Sequence, residues 1–343
     1  MMENIPNTAD EKIDPAIAAF IEQSGLVTKD LPPTMVALTG GVASDIWKVT
    51  SDERSFVVKK ALARLKVANE WNAPVSRNAS EVEWMIEAGR VVPDAVPEIL
   101  AHDSTVGAYA MTFLDPGDHP VWKGELRAGR ADPAFAAALG KTVALIHSAT
   151  AGSSDIAQRF ANDATFHSIR LEPYLEFTAL VHPDLNNPLF QLSRETLACK
   201  KALVHGDISP KNILVGPRGP VILDAECAWY GDPAFDLAFC LNHLLLKCLW
   251  TPTSSSVFLA CFDALAGAYL GHVNWEDWCD LEARAAQLLP ALFLGRVDGK
   301  SPAEYITDGG DKERVRRIAR QFILTKPQSL AVIRDTWAKE ISA

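Results

Sequence analysis

The spacing of apolar positions is helical near the start of the chain. Asp14-Pro15 sets a side-chain acceptor ahead of a proline, and Ile17, Phe20 and Ile21 follow on one helical face, which predicts a short amphipathic helix. After Pro32-Pro33 the period shortens. Val36 to Leu38, Ile46 to Val49 and Phe56 to Val58 are brief β-type runs parted by Gly40-Gly41 and by polar turns, a meander of strands. Helical spacing returns from Ser76 to Gly89, where Val82, Met85, Ile86 and Ala88 stand among glutamates until Pro93 and Pro97 end the run. Ile99-Leu100 and Tyr109 to Leu114 read as further strands, the second closed by Asp115-Pro116-Gly117.

Beyond that turn the pattern is chiefly helical. Asp132-Pro133 opens a helix with Phe135, Leu139, Val143 and Ile146 on one face. The exception lies within Leu203 to Asp224, where Ile213 to Val215 and Val221 to Leu223 flank the turn Gly216-Pro217-Arg218-Gly219. Strands first and helices later, with one hairpin set at the start of the second part, is an α+β layout. A chain of 343 residues exceeds the usual single-domain size, so two lobes with a cleft between them are expected, 1–115 and 116–343.

Composition restricts the partners more than the fold. Apolar residues at 48% and charged residues at 22% are enough to bury a sizeable core. A net charge of −10 argues against nucleic acid, whose binding depends on basic patches. Cys199, Cys227, Cys240, Cys248, Cys261 and Cys279 form no C-x-x-C pair and read as thiols of a reducing compartment. Met1 to Asp10 has no basic segment followed by an apolar run, so no secretory leader is expected. Phe235 to Trp250 is the most apolar stretch, but Asp236, Asn242, His243 and Lys247 interrupt it and it is too short to span a bilayer. It is read as a core helix of a cytoplasmic protein with no membrane partner. Oligomeric state is left open.

The chemistry concentrates in His205-Gly206-Asp207-Ile208-Ser209-Pro210-Lys211-Asn212, followed by the hairpin and by Asp224-Ala225-Glu226. Phosphoryl transfer needs a carboxylate to orient and deprotonate the attacking hydroxyl, and oxygen ligands for Mg²⁺ on the nucleotide phosphates. Asp207 suits the first task, Asn212 and Asp224 the second. The short loop from Asp207 to Asn212 turns both side chains toward one cleft, and the hairpin returns Asp224 beside them. Glu226, two residues on, faces the same side of an extended segment and reads either as a further metal contact or as a structural bond. Lys211 reads either as a contact to the transferring phosphate or as an exposed loop lysine.

These motifs resemble those of the aminoglycoside phosphotransferase, choline kinase and methylthioribose kinase superfamily. The likeness rests on His205-Gly206-Asp207 with Asn212, on Asp224-Ala225-Glu226, and on Gly231-Asp232-Pro233-Ala234-Phe235-Asp236 downstream. Protein kinases are more distantly similar, since Gly206 stands where they usually carry arginine and no Ala-Pro-Glu follows. The resemblance implies a bilobal protein-kinase-like fold, a small β-rich N-lobe and a larger helical C-lobe, with ATP and Mg²⁺ as cofactors. It implies that His205 orients the catalytic loop and that Asp236 caps and anchors the next helix. Phe56-Val57-Val58-Lys59-Lys60 resembles the segment carrying the phosphate-binding lysine, which makes Lys59 the first choice and Lys60 the second. Glu81, with Glu83 second, is the glutamate that fixes it. Gly40 and Gly41 are placed over the phosphates, and backbone groups of Thr112 and Leu114 at the adenine edge.

The acceptor is expected to be a small-molecule hydroxyl compound, a sugar or amino alcohol ahead of an aminoglycoside. His243, Trp275, Glu276, Trp278 and Arg296 are the residues considered for it, and an Arg296 that faced the cleft would favour an acceptor with a carboxylate or phosphate. A nucleotide-binding pseudokinase and a protein-kinase-like regulator are the competing readings.

Overall fold

The computed structural model describes residues 13–28, 32–38, 44–51, 54–61 and 77–342. Gly40 and Gly41 lie outside them.

The N-lobe is a five-stranded antiparallel sheet. Strands β1 (Thr34–Ala37), β2 (Ser44–Ser51), β3 (Arg54–Ala61), β4 (Ile99–Asp103) and β5 (Ala108–Thr112) lie in the order β1-β2-β3-β5-β4. Helix α1 (Pro15–Gln23), capped by the Asp14 carboxylate on the amide of Ala16, covers one face. Its Ile17, Phe20 and Ile21 join Trp47, Val49, Phe56 and Val58 in a small core. Side chains alternate across a strand, so Phe56, Val58 and Lys60 share the α1 face while Val57 and Lys59 take the other. Lys60 accordingly pairs with Asp14, and Lys59 points to helix α2 (Arg77–Val91).

The C-lobe holds the remaining helices. Following α3 (Trp122–Arg127) and α4 (Pro133–Thr150) come α5 (Ser154–Arg159), α6 (Asp163–Phe166), a π-helical stretch His167–Glu176, α7 (Phe177–Val181) and α8 (Asn186–Ala198). Two small antiparallel pairs carry the catalytic segment: β6 (Ala202–Val204) with β9 (Trp229–Gly231), and the hairpin β7 (Ile213–Gly216) with β8 (Gly219–Ile222). The hairpin lies where the apolar runs predict it. The three-residue β6 and β9 are too short to announce themselves as a pattern.

Helix α9 (Ala234–Trp250) is the central element, and every residue from Ala234 to Cys248 is buried. A helix apolar on all sides belongs in a core, as its composition predicts. Around it pack α10 (Ser255–Leu270), α11 (Trp278–Asp298), α12 (Gly309–Thr325) and α13 (Leu330–Ser342). The stretch Pro252–Leu270 is long and apolar enough, by length and composition, to cross a membrane. Here it lies close against α4, for a Cβ on Gly140 would come 2.3 Å from the Leu265 carbonyl oxygen. All six cysteines are free thiols.

Candidate active site

The loop after β6 is held by buried backbone contacts. Asp236, 1% exposed, accepts the amide protons of His205 and Gly206, each at 2.8 Å, and its Oδ2 lies 3.2 Å from His147 Nε2. The expectation that Asp236 caps α9 is therefore corrected. Asp232 takes the amide of Ala234 at the helix start, and Asp236 fastens the catalytic loop onto α9 instead. Gly206 has φ +79°, and a Cβ there would sit 3.0 Å from the Cys227 carbonyl, so the position excludes larger residues. His205 Nδ1 accepts the Asp207 amide at 3.1 Å while Nε2 faces the Leu223 carbonyl at 3.1 Å, which fixes one neutral tautomer. Burial, opposed by Asp236, pushes its pKa down.

Asp207 is 5% exposed and meets two cations through Oδ2, Arg170 Nη2 at 2.9 Å and Lys211 Nζ at 3.2 Å. Burial works against its ionisation, but Lys211 and Arg170 overcome it and hold the carboxyl below the usual range. Arg170 also donates to the Gly206 carbonyl. It comes from the π-helical stretch, a form found often at functional sites. Asn212 spends its amide nitrogen on the Asp207 carbonyl at 3.1 Å, leaving its side-chain oxygen for a ligand.

Across the cleft, Lys59 Nζ lies 3.0 and 2.8 Å from the two Glu81 oxygens, 2.7 Å from Asp224 Oδ1 and 3.1 Å from Glu226 Oε1. Burial alone would lower the lysine pKa, yet Asp224 and Glu81 hold it well above its ordinary value. Glu81 is pushed up to about 7, because burial outweighs the attraction of Lys59. Asp224 moves the other way: burial opposes ionisation, but Lys59 and Lys211 hold its carboxyl below the usual range. Its φ of +69° is unusual for a residue with a side chain and is tolerated best by Asp and Asn. Glu226 also accepts the Ser44 hydroxyl at 3.2 Å. Carboxylate oxygens of Glu81, Asp224 and Glu226 lie within 4.8 Å of one another, a hard-oxygen set that fits Mg²⁺ chemically.

Comparison with known proteins is decided by residues 34–270, which match the model of the family described as "Phosphotransferase enzyme family" (APH). The chain belongs to that family. Among curated relatives it is similar to the methylthioribose kinase of Pectobacterium atrosepticum, 26% identical over 272 residues, 70% of this chain and 66% of that one. With the methylthioribose kinase of Pectobacterium carotovorum it shares 27% identity over 322 residues, 85% of this chain and 77% of the relative. The chain thus spans about two thirds of the length of the first of these relatives. Its fold is that of the ethanolamine kinase of Plasmodium vivax, with a TM-score of 0.54 at 11% identity and 94% of each chain covered.

In this member of the phosphotransferase family a cavity of about 200 Å³ continues from the Asp207 loop into the C-lobe. Asp207 and Lys211 line it, as do His243 and Arg296, two of the five residues considered for the acceptor. Trp275 instead packs on His147 and Tyr269, Glu276 pairs with Arg284 at 2.8 Å, and Trp278 is half-exposed at the start of α11. None of those three lines the cavity. The Thr112 amide donates to the Glu98 carbonyl at 3.0 Å and is not free to meet an adenine edge. Glu83 reaches outward to Arg159. Sequence reasoning missed Arg170, Lys123, Tyr174, Lys247 and Tyr305. Of these only Lys247 carried a signal, a lysine four residues after His243 inside an otherwise apolar helix.

Proposed function

We propose that this chain is an ATP-dependent kinase that transfers the γ-phosphoryl group of ATP to a hydroxyl of a small molecule. The observation that carries the reading is an ionised Asp207 at the mouth of a side-chain-lined cavity, with the Lys59 cluster on the other side of the cleft. Asp207 accepts the proton of the acceptor hydroxyl as its oxygen bonds to the γ-phosphorus. The bond from that phosphorus to the β,γ-bridging oxygen breaks, and ADP leaves with the electron pair. Lys59, released from Asp224 and steadied by Glu81, holds the phosphates. Mg²⁺, held by Asn212 and Asp224 with Glu226 next to them, would neutralise charge on the phosphates. Lys211 and Arg170 flank the transferred group, and His205 acts by positioning the loop. The lobes divide near residue 115, 1–115 holding nucleotide and 116–343 holding acceptor, in a cytoplasmic setting that suits the free thiols.

ADP release in Mg·ATP with a panel of small hydroxyl compounds, compared with protein acceptors, tests the reading. Turnover with a small acceptor that disappears in Asp207→Asn supports it. Tight nucleotide binding without transfer to any acceptor would instead identify a pseudokinase.

A further inference from the structure

The cavity beyond Asp207 runs along one face of α9. Phe239, His243 and Lys247 follow at four-residue steps, with Arg170 stacked on Phe239 at 5.6 Å beside the catalytic loop. The opposite wall carries Arg296 from the last turn of α11, together with Tyr174 and Tyr305.

The charges in this cavity do not balance. Lys123 and Glu304 pair with each other at its rim, and Asp207 is already shared by Arg170 and Lys211. Arg296 and Lys247 remain, and among the described residues neither has a carboxylate within salt-bridge distance. Arg296 is 9% exposed; its Nη1 donates to the Ser301 carbonyl and reaches Tyr174 Oη at 3.4 Å, while its buried Nε has no hydrogen-bond partner. Lys247 is 1% exposed, its ammonium 3.8 Å from the Tyr305 ring centroid and 4.0 Å from that of Trp250. Helix C-termini favour cations, which accounts for their sequence positions but not for two buried cationic side chains with no carboxylate in contact, an arrangement that is costly when left unpaired. An anionic ligand removes that cost.

We propose that the acceptor is an anion: a small hydroxyl compound bearing a carboxylate or phosphate, which seats between Lys247 and Arg296 while its hydroxyl meets Asp207. This rests on the phosphotransfer reading above and names its substrate class. From Phe239 to Lys247 the helix rises about 12 Å, which sets the scale of the spacing between hydroxyl and anion. The rings of Tyr174, Phe239 and Tyr305 flank the short stem between them. A quaternary ammonium or a polyamine would bring like charge into the same space and be rejected.

The test uses matched probes that differ in charge: glycerol, D-glycerate, sn-glycerol 3-phosphate and choline, with inorganic phosphate as the minimal anion. Each is titrated into full-length protein saturated with Mg·AMP-PNP, so that the nucleotide site is filled, and read by thermal shift and calorimetry. Anions are expected to stabilise the protein where glycerol and choline do not. Arg296→Gln and Lys247→Met should each weaken anion binding by at least about tenfold, as loss of a buried charge contact does, while Mg·AMP-PNP affinity stays unchanged and reports a folded chain. A response to glycerate without glycerol 3-phosphate assigns a carboxylate, and the reverse a phosphate. The proposal is overturned if no anion binds, if choline or glycerol binds as well as the anions, or if the two variants bind anions like wild type. Failure of the kinase reading shows separately, as absence of Mg·AMP-PNP binding or as Mg·ATP bound without transfer to any hydroxyl acceptor.

Discussion

Replacing Lys59 with methionine separates the two adjacent lysines sharply. Lys59 is the only cation within 3.1 Å of Glu81, Asp224 and Glu226 among the described residues. At the effective dielectric of about 20 that suits such sites, each contact near 3 Å is worth about 5 kcal/mol before desolvation. The net loss on breaking the buried Lys59–Glu81 pair is about 3–5 kcal/mol, since the stranded Glu81 carboxylate stays buried, whereas Asp224 is partly exposed and adds little. At about 2–4 °C per kcal/mol for chains of this order, the nucleotide-free variant should lose roughly 6–20 °C in Tm. The loss depends on pH. Glu81 is raised to about 7 even with the lysine present, and without it the carboxyl rises further above its unfolded value. The native variant then holds a proton that the unfolded chain lacks, so its deficit shrinks on acidification and grows as pH rises through the raised pKa, by up to about 1.4 kcal/mol per unit. Lys60→Met removes a partly exposed pair with Asp14 and should cost about 0–1 kcal/mol. Scanning fluorimetry of both variants at pH 6 and pH 8 measures the contrast. Equal losses at the two positions, or a Lys59 variant as stable as wild type at pH 8, would refute the charge argument and the strand register behind it.

Asp207→Asn should lower kcat by about 10²–10⁴-fold and leave Mg·ATP affinity nearly unchanged, as isothermal titration and ADP release together would show. Asp224→Ala should abolish the Mg²⁺-dependent part of nucleotide binding, with Asn212→Ala milder; EDTA should erase the same nucleotide-induced thermal shift in wild type. Asp236→Ala strands two buried amides and should destabilise by about 2–6 kcal/mol, read as a lowered urea midpoint, far more than an exposed Asp→Ala change. Lys247, lowered to about 7 by burial and by Lys123, faces Arg296 from α11, Glu304 and Tyr305 from the loop after it, and His243 from its own helix. A bound anion raises that pKa, so anion affinity should be full below about pH 7 and fall as pH rises through it. A pH-independent Kd for D-glycerate, whose own charge is constant over this range, in the AMP-PNP complex would contradict this.

Much of this arrangement is legible in local spacing. The two-residue period of β3 separates Lys59 from Lys60 before any contact is known, and the step from Asp207 to Asn212 with the hairpin after it brings the loop and Asp224 to one cleft. The largely apolar run of α9, interrupted only at Asp236, Asn242, His243 and Lys247, announces a buried helix. What stays hidden depends on which face a C-lobe helix turns inward. Trp275, Glu276 and Trp278 have the residue types of a pocket but lie on the far side of α11 and its preceding turn, held by Arg284 and Tyr269. Arg170 comes from a π-helical stretch containing Pro173, and no periodicity in the sequence signals its contact with Asp207. Lys247 reads from sequence as a blemish in an apolar run; its meaning depends on Tyr305 and Arg296, some fifty residues away in the chain.

Asp236 ties the catalytic loop to the first turn of α9, and the same helix carries Phe239, His243 and Lys247 away from it at regular steps. Asp207 and the cavity beyond it are therefore marked off on one rigid ruler, while Lys59 belongs to the other lobe. If the proposed acceptor site is right, acceptor length and charge can be re-specified by exchanging one residue per turn, the mark that is changed setting how far from the reacting oxygen the new selectivity is read. Such exchanges leave the loop geometry intact, because its anchor lies at the zero of the scale.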